Sequence, residues 1–159
     1  MGNIRNKLKS NIKTILTTII ATSLFNFSIL TYKHHKDNEL LFNSRQNYFE
    51  ILRYYNASMD FNNRLLEYMN DNNLEETKLN GRVFSKNNLI WAINDNELHI
   101  KSDSEKIKNI ANIYDKTSFI NYLRINERGL QIEADNAKYK LKEVLTDNFK
   151  LGEKTDFKY

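Results

Sequence analysis

Few side chains in this sequence have the types and spacing that chemistry requires. The chain has no cysteine, and its three histidines are the adjacent His34 and His35 and the distant His99. Adjacent histidines point in different directions on a helix, whereas helical metal sites place their ligands three or four residues apart. The paired acids Glu75 and Glu76 stand in a polar stretch that does not predict the burial an acid–base pair needs. We therefore predict no catalytic residue, no metal site and no cofactor, and we expect that the protein is not an enzyme.

The positive charge of the chain is confined to one end. The formal net charge is +4, yet residues 1–36 hold six Lys and Arg and no acid, which leaves 18 basic and 20 acidic residues for 37–159. Nucleic-acid binding needs a positive surplus that neutralises phosphates, and the body of the chain has none. The four glycines are scattered and build no phosphate-binding loop. We predict no nucleic-acid partner.

The element that positions the rest is an uncharged stretch of nineteen residues, 14–32, with the sequence TILTTIIATSLFNFSILTY. A helix of this length covers about 28 Å, close to the ~30 Å hydrocarbon core of a bilayer. Basic residues bracket the stretch on both sides, as is typical of a membrane segment. The sequence therefore predicts a single transmembrane helix with the lipid bilayer as its first partner.

Two alternatives to an uncleaved signal anchor stay open at this point. In a cleaved secretory signal, Ile15–Ala21 would form the apolar core and Ala21 and Ser23 the small residues of the cleavage site. The segment could instead be a buried helix of a soluble protein or a presequence. The apolar character continues to Leu30, beyond what a cleaved signal needs, and this favours the anchor. Four basic residues precede the segment and two follow it, so we expect a cytoplasmic N-terminus and an extracytoplasmic C-terminal domain.

A polar stripe interrupts the apolar stretch. Thr14, Thr18, Thr22 and Asn26 recur every four residues, which places them on one helix face. Small and hydroxyl-bearing residues at this spacing let membrane helices approach closely, and an Asn can hydrogen-bond across the contact. We predict an intramembrane helix-packing face. The alternative is that the hydroxyls bond carbonyls of their own helix.

The region from Asp37 to Asn73 is predicted to be one long amphipathic helix. Its apolar side chains follow heptad spacing, as in a coiled coil, and spread into a stripe wide enough for two neighbouring helices in a bundle. Asn62 lies in this stripe, where a polar residue fixes register. We predict that the following residues pack against partner helices: Leu41, Tyr48, Leu52, Tyr55, Met59, Asn62, Leu66 and Met69.

The middle of the chain is ambiguous. Asn70–Gly81 is predicted to be a loop, because it is rich in turn-forming residues and acids. For residues 82–101, alternating apolar residues around Asn94–Asn96 favour a small β-hairpin with Trp91 in its core. A helix capped by Ser85 or Asn87 is the alternative. Either reading leaves the hairpin or helix as a minor part of the domain.

The last third is predicted to be helical. Ser102 and Glu105 match a capping box that opens a helix to Tyr114, and a break near Asp115–Thr117 separates it from the final helix. That final helix, 117–149, carries a second apolar seam that can pack back on the long helix. Its members are Ile120, Leu123, Leu130, Ala134, Ala137, Leu141, Val144 and Leu145.

These elements predict a mainly α protein. It has a short basic segment (1–13), a transmembrane helix (14–32) that continues toward a long amphipathic helix, a helical extramembrane domain with a small β-hairpin (33–151), and a flexible tail (152–159). We expect a non-catalytic single-pass subunit that anchors or scaffolds a larger membrane complex, with other membrane subunits or further copies of itself as partners. The alternatives are an anchored sensor or ligand-binding domain, and a small membrane-acting effector or exclusion protein.

Overall fold

The computed structural model describes residues 2–112 and 116–156, and it describes side chains over 12–112 and 117–151. The element order is α1 (Gly2–Asp71), β1 (Glu76–Leu79), β2 (Arg82–Ser85), α2 (Lys86–Ala111) and α3 (Lys116–Asp156). The chain divides into two compact units, Met1–Glu39 and Leu40–Tyr159. The predicted fold class is confirmed: the protein is mainly α, with a long apolar N-terminal helix, a two-stranded hairpin and a C-terminal helix that packs against α1.

The core of the second unit lies where α1, α2 and α3 meet. One cluster joins Tyr48 and Ile51 of α1 to Ile110 of α2 and to three residues of α3. Two of those three are Ala134, which is fully buried, and Ala137. Small side chains at these two places let the α3 backbone come close to α1, so the large α1 side chains fill the space between the helices.

Two further clusters extend the core toward its ends. Leu40 packs with Ile120 and Leu123 at the start of α3. At the opposite end, a third cluster joins the hairpin to the end of α1, the start of α2 and the end of α3. Its buried members are Phe61, Leu65, Met69, Leu79, Leu89 and Leu151. The predicted apolar seam of the last helix, here called the α3 core seam, is thereby largely confirmed, since six of its members are buried: Ile120, Leu123, Leu130, Ala134, Ala137 and Leu141. Val144 is partly buried, and Leu145 is exposed.

The hairpin lies earlier in the chain than the sequence interpretation placed it. Its strands β1 and β2 are antiparallel, and Leu79 pairs with Arg82 across the turn. The turn residues Asn80 and Gly81 have φ of 51° and 80°, which is the geometry of a type I′ turn. The prediction of a loop over 70–81 did not use this Asn-Gly pair as a turn signal. The predicted turn at Asn94–Asn96 is wrong, because those residues lie inside α2.

The helical alternative for residues 86–101 is the correct one. Ser85 is the N-cap of α2, and its hydroxyl accepts a hydrogen bond from the backbone N–H of Asn88 at 3.4 Å. Leu89, 2% exposed, is the core residue of this region, whereas Trp91 is 69% exposed. The prediction that Trp91 fills a hairpin core is therefore wrong.

The predicted capping box is also wrong, because Ser102 and Glu105 lie in the middle of α2 rather than at a helix start. Between them, the buried Asp103 accepts a hydrogen bond from Lys106 Nζ at 2.7 Å. Tyr114 and the first part of the predicted break lie outside the described residues. Of the predicted flexible tail, 152–156 continue α3, and 157–159 lie outside the described residues.

Candidate membrane anchor

The side chains of residues 12–36 are exposed without exception. The large apolar ones among them range from 48% exposed for Ile29 to 69% for Phe27. They lie on all sides of the helix, because apolar residues follow one another here rather than recurring at helical spacing. A helix that is apolar all round belongs in a protein core or in lipid, and none of this stretch is buried in the chain. One helix of the described chain is thus long and apolar enough to span a membrane.

Hydroxyl groups in this stretch bond to the helix itself. Thr17 Oγ1 donates to the carbonyl of Lys13 and Thr18 Oγ1 to that of Thr14, both at 2.9 Å. Ser28 and Thr31 donate in the same way to the carbonyls four residues earlier, at 2.8 Å. A hydroxyl satisfied inside its own helix costs less in hydrocarbon than an unpaired one. These bonds lower the cost of placing this polar span in lipid.

The predicted intramembrane packing face lies on one side of α1, and its four residues are exposed. Thr18 bonds to Thr14 as the alternative interpretation expected. Thr22 and Asn26, by contrast, have no side-chain hydrogen bond among residues 12–112 and 117–151. The carboxamide of Asn26 has two donors and an acceptor. In hydrocarbon these groups favour a partner on another helix.

The residues that follow the span are polar and charged. Lys33, His34, His35 and Lys36 are exposed, and the side chains of His34 and Asn38 are hydrogen-bonded at 3.1 Å. Lys36 Nζ lies 2.9 Å from Glu39 Oε2, and this hydrogen bond and the charge of Lys36 hold the pKa of Glu39 below its usual value. Such a collar is typical of the lipid headgroup region, where basic side chains meet anionic lipids.

The predicted helix-packing stripe of α1 faces the core of the chain itself. Tyr48, Asn62 and Met69 are buried, and Leu41, Leu52, Tyr55, Met59 and Leu66 are partly buried. The ring of Tyr55 stacks on His99 of α2, with 4.5 Å between ring centroids. The helices that this stripe packs against therefore include α2 and α3 of the same chain.

The sequence did not predict two partly buried polar contacts between the helices. Asn47 Nδ2 donates to Gln131 Oε1 of α3 at 3.2 Å, and Asn96 Nδ2 of α2 donates to Ser58 Oγ of α1 at 3.0 Å. Each joins α1 to a different neighbour. Because the chain is rich in Asn, no sequence signal separates these two from the exposed ones.

A different set of apolar side chains faces outward from the second unit. On α2, Trp91 and Leu98 are 69% and 68% exposed, and they lie seven residues apart. On α3, Ile125, Ile132 and Tyr139 are more than half exposed and also recur every seven residues. The sequence interpretation missed this second stripe of α3, although the seven-residue spacing outside the core seam is a signal that could have found it.

A small cavity lies between α1 and α3. Its volume is about 210 Å³, and it opens to solvent. It is lined by Ile51, Tyr54, Tyr55, Glu133, Asn136, Ala137 and Lys140. Ligand-binding pockets typically measure about 300–1,000 Å³, so this one falls below that range. Among the described residues, no three or more His, Cys, Asp and Glu lie together as metal ligands would.

The geometry defines a class of protein: a helical bundle preceded by one candidate membrane-spanning helix. Comparisons with family models, with curated proteins and with solved structures return no match for the chain.

Proposed function

We propose that the protein is a non-catalytic, single-pass membrane subunit that anchors or scaffolds a larger membrane protein complex through helix–helix packing. The observation that carries this proposal is the contrast between its two units. Residues 12–36 expose apolar side chains on every side, whereas Leu40 onward forms a core of its own. The segment 12–36 needs lipid as a solvent, whereas the domain from Leu40 onward needs no lipid to fold.

The outward surface of the second unit supports the assembly part of the proposal. Soluble monomers seldom expose contiguous large apolar patches, and such patches commonly mark contacts with other proteins. Large apolar side chains are exposed at seven-residue spacing on two helices: Trp91 and Leu98 on α2, and Ile125, Ile132 and Tyr139 on α3. These side chains can pack on other subunits without disturbing the core.

The alternative of an anchored ligand-binding domain has less support. It requires a pocket between the long helix and the last helix. Buried side chains fill that contact: Tyr48, Ile51, Leu130, Ala134 and Ala137. Two cavities lined by both helices measure about 210 and 160 Å³, both below the usual range for a ligand pocket. A filled helix contact suits a scaffold better than a receptor.

Membrane extraction tests the anchoring. We expect the full chain to stay with membranes at alkaline carbonate and to float with lipid in a density gradient, with residues 1–23 still present by mass spectrometry. The variant Ile20→Arg/Leu24→Arg places two charges near the middle of the span, at a cost of about 2.5–3.5 kcal/mol each. It should leave the membrane fraction, while Ile20→Leu/Leu24→Ile should stay. Recovery of the unaltered chain in the soluble fraction, or of a chain that lacks the span, would contradict the anchor.

The proposed orientation can be read with single cysteines, because the chain has none of its own. A membrane-impermeant maleimide should label Lys101→Cys in intact cells and label Lys9→Cys only after the membrane is opened. The reverse pattern would show the domain on the cytoplasmic side.

Native mass spectrometry in mild detergent tests the assembly. A complex larger than one copy is expected from membranes at native expression. A lone monomer under conditions that keep other membrane complexes intact would contradict the scaffolding role.

A further inference from the structure

The outward face of α3 has the pattern of a helix–helix seam that nothing in the described chain covers. Ile125, Ile132 and Tyr139 are 83%, 53% and 68% exposed, and their spacing of seven residues is that of the d position in a coiled coil. The core residues Leu123, Leu130 and Ala137 lie on the opposite side of the same helix. This face, from Ile125 to Tyr139, is here called the α3 seam.

The a positions of the same heptads suit a close helix pair. Gly129 is exposed, and a Cβ placed on it would meet nothing within 4 Å. A residue without a side chain between two large apolar ones lets a second helix approach the backbone. Asn136 is the next a position; it is exposed at the edge of the cavity between α1 and α3. A single polar residue at an a position favours two strands in one register.

The charges on the two edges of the α3 seam complement each other. Arg128 and Asp135 occupy the g positions, and Glu133 and Lys140 the e positions of the following heptads. All four are exposed, and Glu133 and Lys140 also line the cavity on the α1 side of α3. In a parallel pair, each g residue faces the e residue five positions further on in the other helix. Arg128 then meets Glu133, and Asp135 meets Lys140, so both pairs have opposite charge, and twofold symmetry makes four such pairs.

Other contacts mark both ends of the α3 seam. At the N-terminal end, Tyr122 lies next to Tyr48 of α1. At the C-terminal end, the guanidinium of Arg82 in the hairpin forms ion pairs with α3: Nη2 lies 3.1 Å from Glu143 Oε2, and Nη1 lies 3.8 Å from Asp147 Oδ2. The uncovered surface is therefore about two heptads long.

From this arrangement we propose that the α3 seam pairs in parallel with the α3 seam of a second copy of the chain. The inference rests on the proposed function in one respect: two heptads make a weak contact in solution, and anchoring in one membrane raises the effective concentration of the copies. The contact buries Ile125, Ile132 and Tyr139 against their counterparts and closes over Gly129. It names one partner of the proposed scaffold, which is the chain itself.

Disulfide cross-linking of the full chain in membranes tests the pairing. Ile125→Cys and Tyr139→Cys should each form a same-position disulfide under mild oxidation, because equivalent d positions face each other in a parallel pair. Glu127→Cys and Lys138→Cys are the matched controls, since both are exposed on α3 but lie away from the α3 seam. These two control variants should form little disulfide. In an antiparallel pair, Ile125→Cys and Tyr139→Cys would cross-link with each other when mixed, and not each with itself.

Charge exchange is the second measurement. Arg128→Glu in an Ile132→Cys background sets like charges against each other twice, and we expect about a tenfold lower disulfide yield at low salt. Adding Glu133→Arg restores the pairing and should restore the yield. A yield that stays low in the double variant would overturn the g–e pairing.

The outcomes separate this inference from the proposed function. If the cysteine variants remain in the membrane and in a large complex but the seam and control positions cross-link equally, the α3 seam is not the contact and the scaffold uses other partners. If the variants leave the membrane fraction, the anchor itself is wrong. Same-position disulfides at both 125 and 139, with low yields at 127 and 138, support the α3 pair.

Discussion

At the scale of single residues, the hairpin turn shows how one backbone angle decides local structure. Gly81 adopts φ +80°, a region in which an L side chain costs about 1–2 kcal/mol. Asn80 beside it also has positive φ. Its side chain is hydrogen-bonded to the buried Asp147 and accepts from Lys150 Nζ at 2.8 Å. The turn therefore holds the hairpin on α3 as well as reversing the chain.

Two glycine substitutions should act in opposite directions. Gly81→Ala is expected to lower the free energy of unfolding by about 1 kcal/mol or more, because the turn requires positive φ. Gly129→Ala lies in a helix with open space around the added Cβ, and it should raise stability by up to about 1 kcal/mol. Urea unfolding followed by circular dichroism in detergent checks both. Equal effects of the two substitutions would contradict the assigned turn geometry.

Two phenols of α1 make stability depend on alkaline pH. Burial, followed by the charges of Glu133 and Asp103, raises the pKa of Tyr55 to about 12. Burial and the neighbouring Tyr122 raise the pKa of Tyr48 further. The folded state thus holds these protons more tightly than the unfolded state does, so their contribution is complete below about pH 10 and is lost as pH rises toward 12.

The alkaline loss can be assigned by substitution. The unaltered chain should lose stability between pH 10 and 12, measured as the urea midpoint, and Tyr55→Phe should lose less over the same range. Tyr139→Phe is the control, because that ring is 68% exposed. If Tyr55→Phe and Tyr139→Phe follow the same pH curve as the unaltered chain, burial of Tyr55 does not govern the loss.

At the scale of elements, close contact between α1 and α3 depends on small residues. Ala134 is 0% exposed and packs in the cluster with Tyr48 and Ile51. Ala134→Leu adds volume to a filled contact and should destabilise the protein by about 1–3 kcal/mol. Ala111→Leu, at an exposed position near the end of α2, adds the same volume where solvent can accommodate it. Thermal unfolding measures the difference in stability between the two variants, and equal melting temperatures would contradict the close packing.

The elements differ in how far the sequence determines them. The long helices and the α3 core seam could be predicted because many residues repeat one apolar period, and no single residue decides the outcome. The middle region could not, since Leu89–Lys101 fits both periods over a short length. Local chemistry decided it: Asn80-Gly81 forms the turn and Ser85 caps α2. The exposure of Trp91 follows from where α2 packs, which depends on contacts far along the chain.

The features of the candidate site also differ in how far the sequence determines them. The apolar span could be recognised from composition alone, because its length and lack of charge are properties of one continuous segment. Contacts such as Asn47–Gln131 join residues 84 positions apart, and no local pattern encodes them. The α3 seam lies between these cases: its spacing is visible in the sequence, but only the burial of Leu123, Leu130 and Ala137 shows that it is a second, outward face.

At the scale of the whole molecule, the chain combines a helix that is long and apolar enough to span a membrane with a domain that has its own core. The segment is unusually polar for an anchor that acts alone. Four of its hydroxyls bond to carbonyls of the same helix, whereas the carboxamide of Asn26 has no side-chain hydrogen bond among residues 12–112 and 117–151 and would carry a larger cost in hydrocarbon. If the proposed function holds, we expect this carboxamide, near the middle of the span, to hydrogen-bond to another helix in the membrane.

The substitution Asn26→Leu tests this explanation, because it should strengthen insertion and weaken association. Losing the interhelical bond costs about 1 kcal/mol, or roughly a fivefold weaker association. Ser28→Leu is the matched control: it also replaces a polar residue by Leu, but Ser28 lies off the predicted packing face and its hydroxyl already bonds to Leu24. Energy transfer between labelled copies in vesicles, followed as lipid dilutes them, measures association, and flotation measures insertion. The Asn26→Leu variant should lose energy transfer after less dilution with lipid than the Ser28→Leu variant. Both variants should still float with the vesicles. Equal dilution curves would mean that Asn26 makes no intramembrane contact, and that any pairing of the copies depends on the domain outside the bilayer.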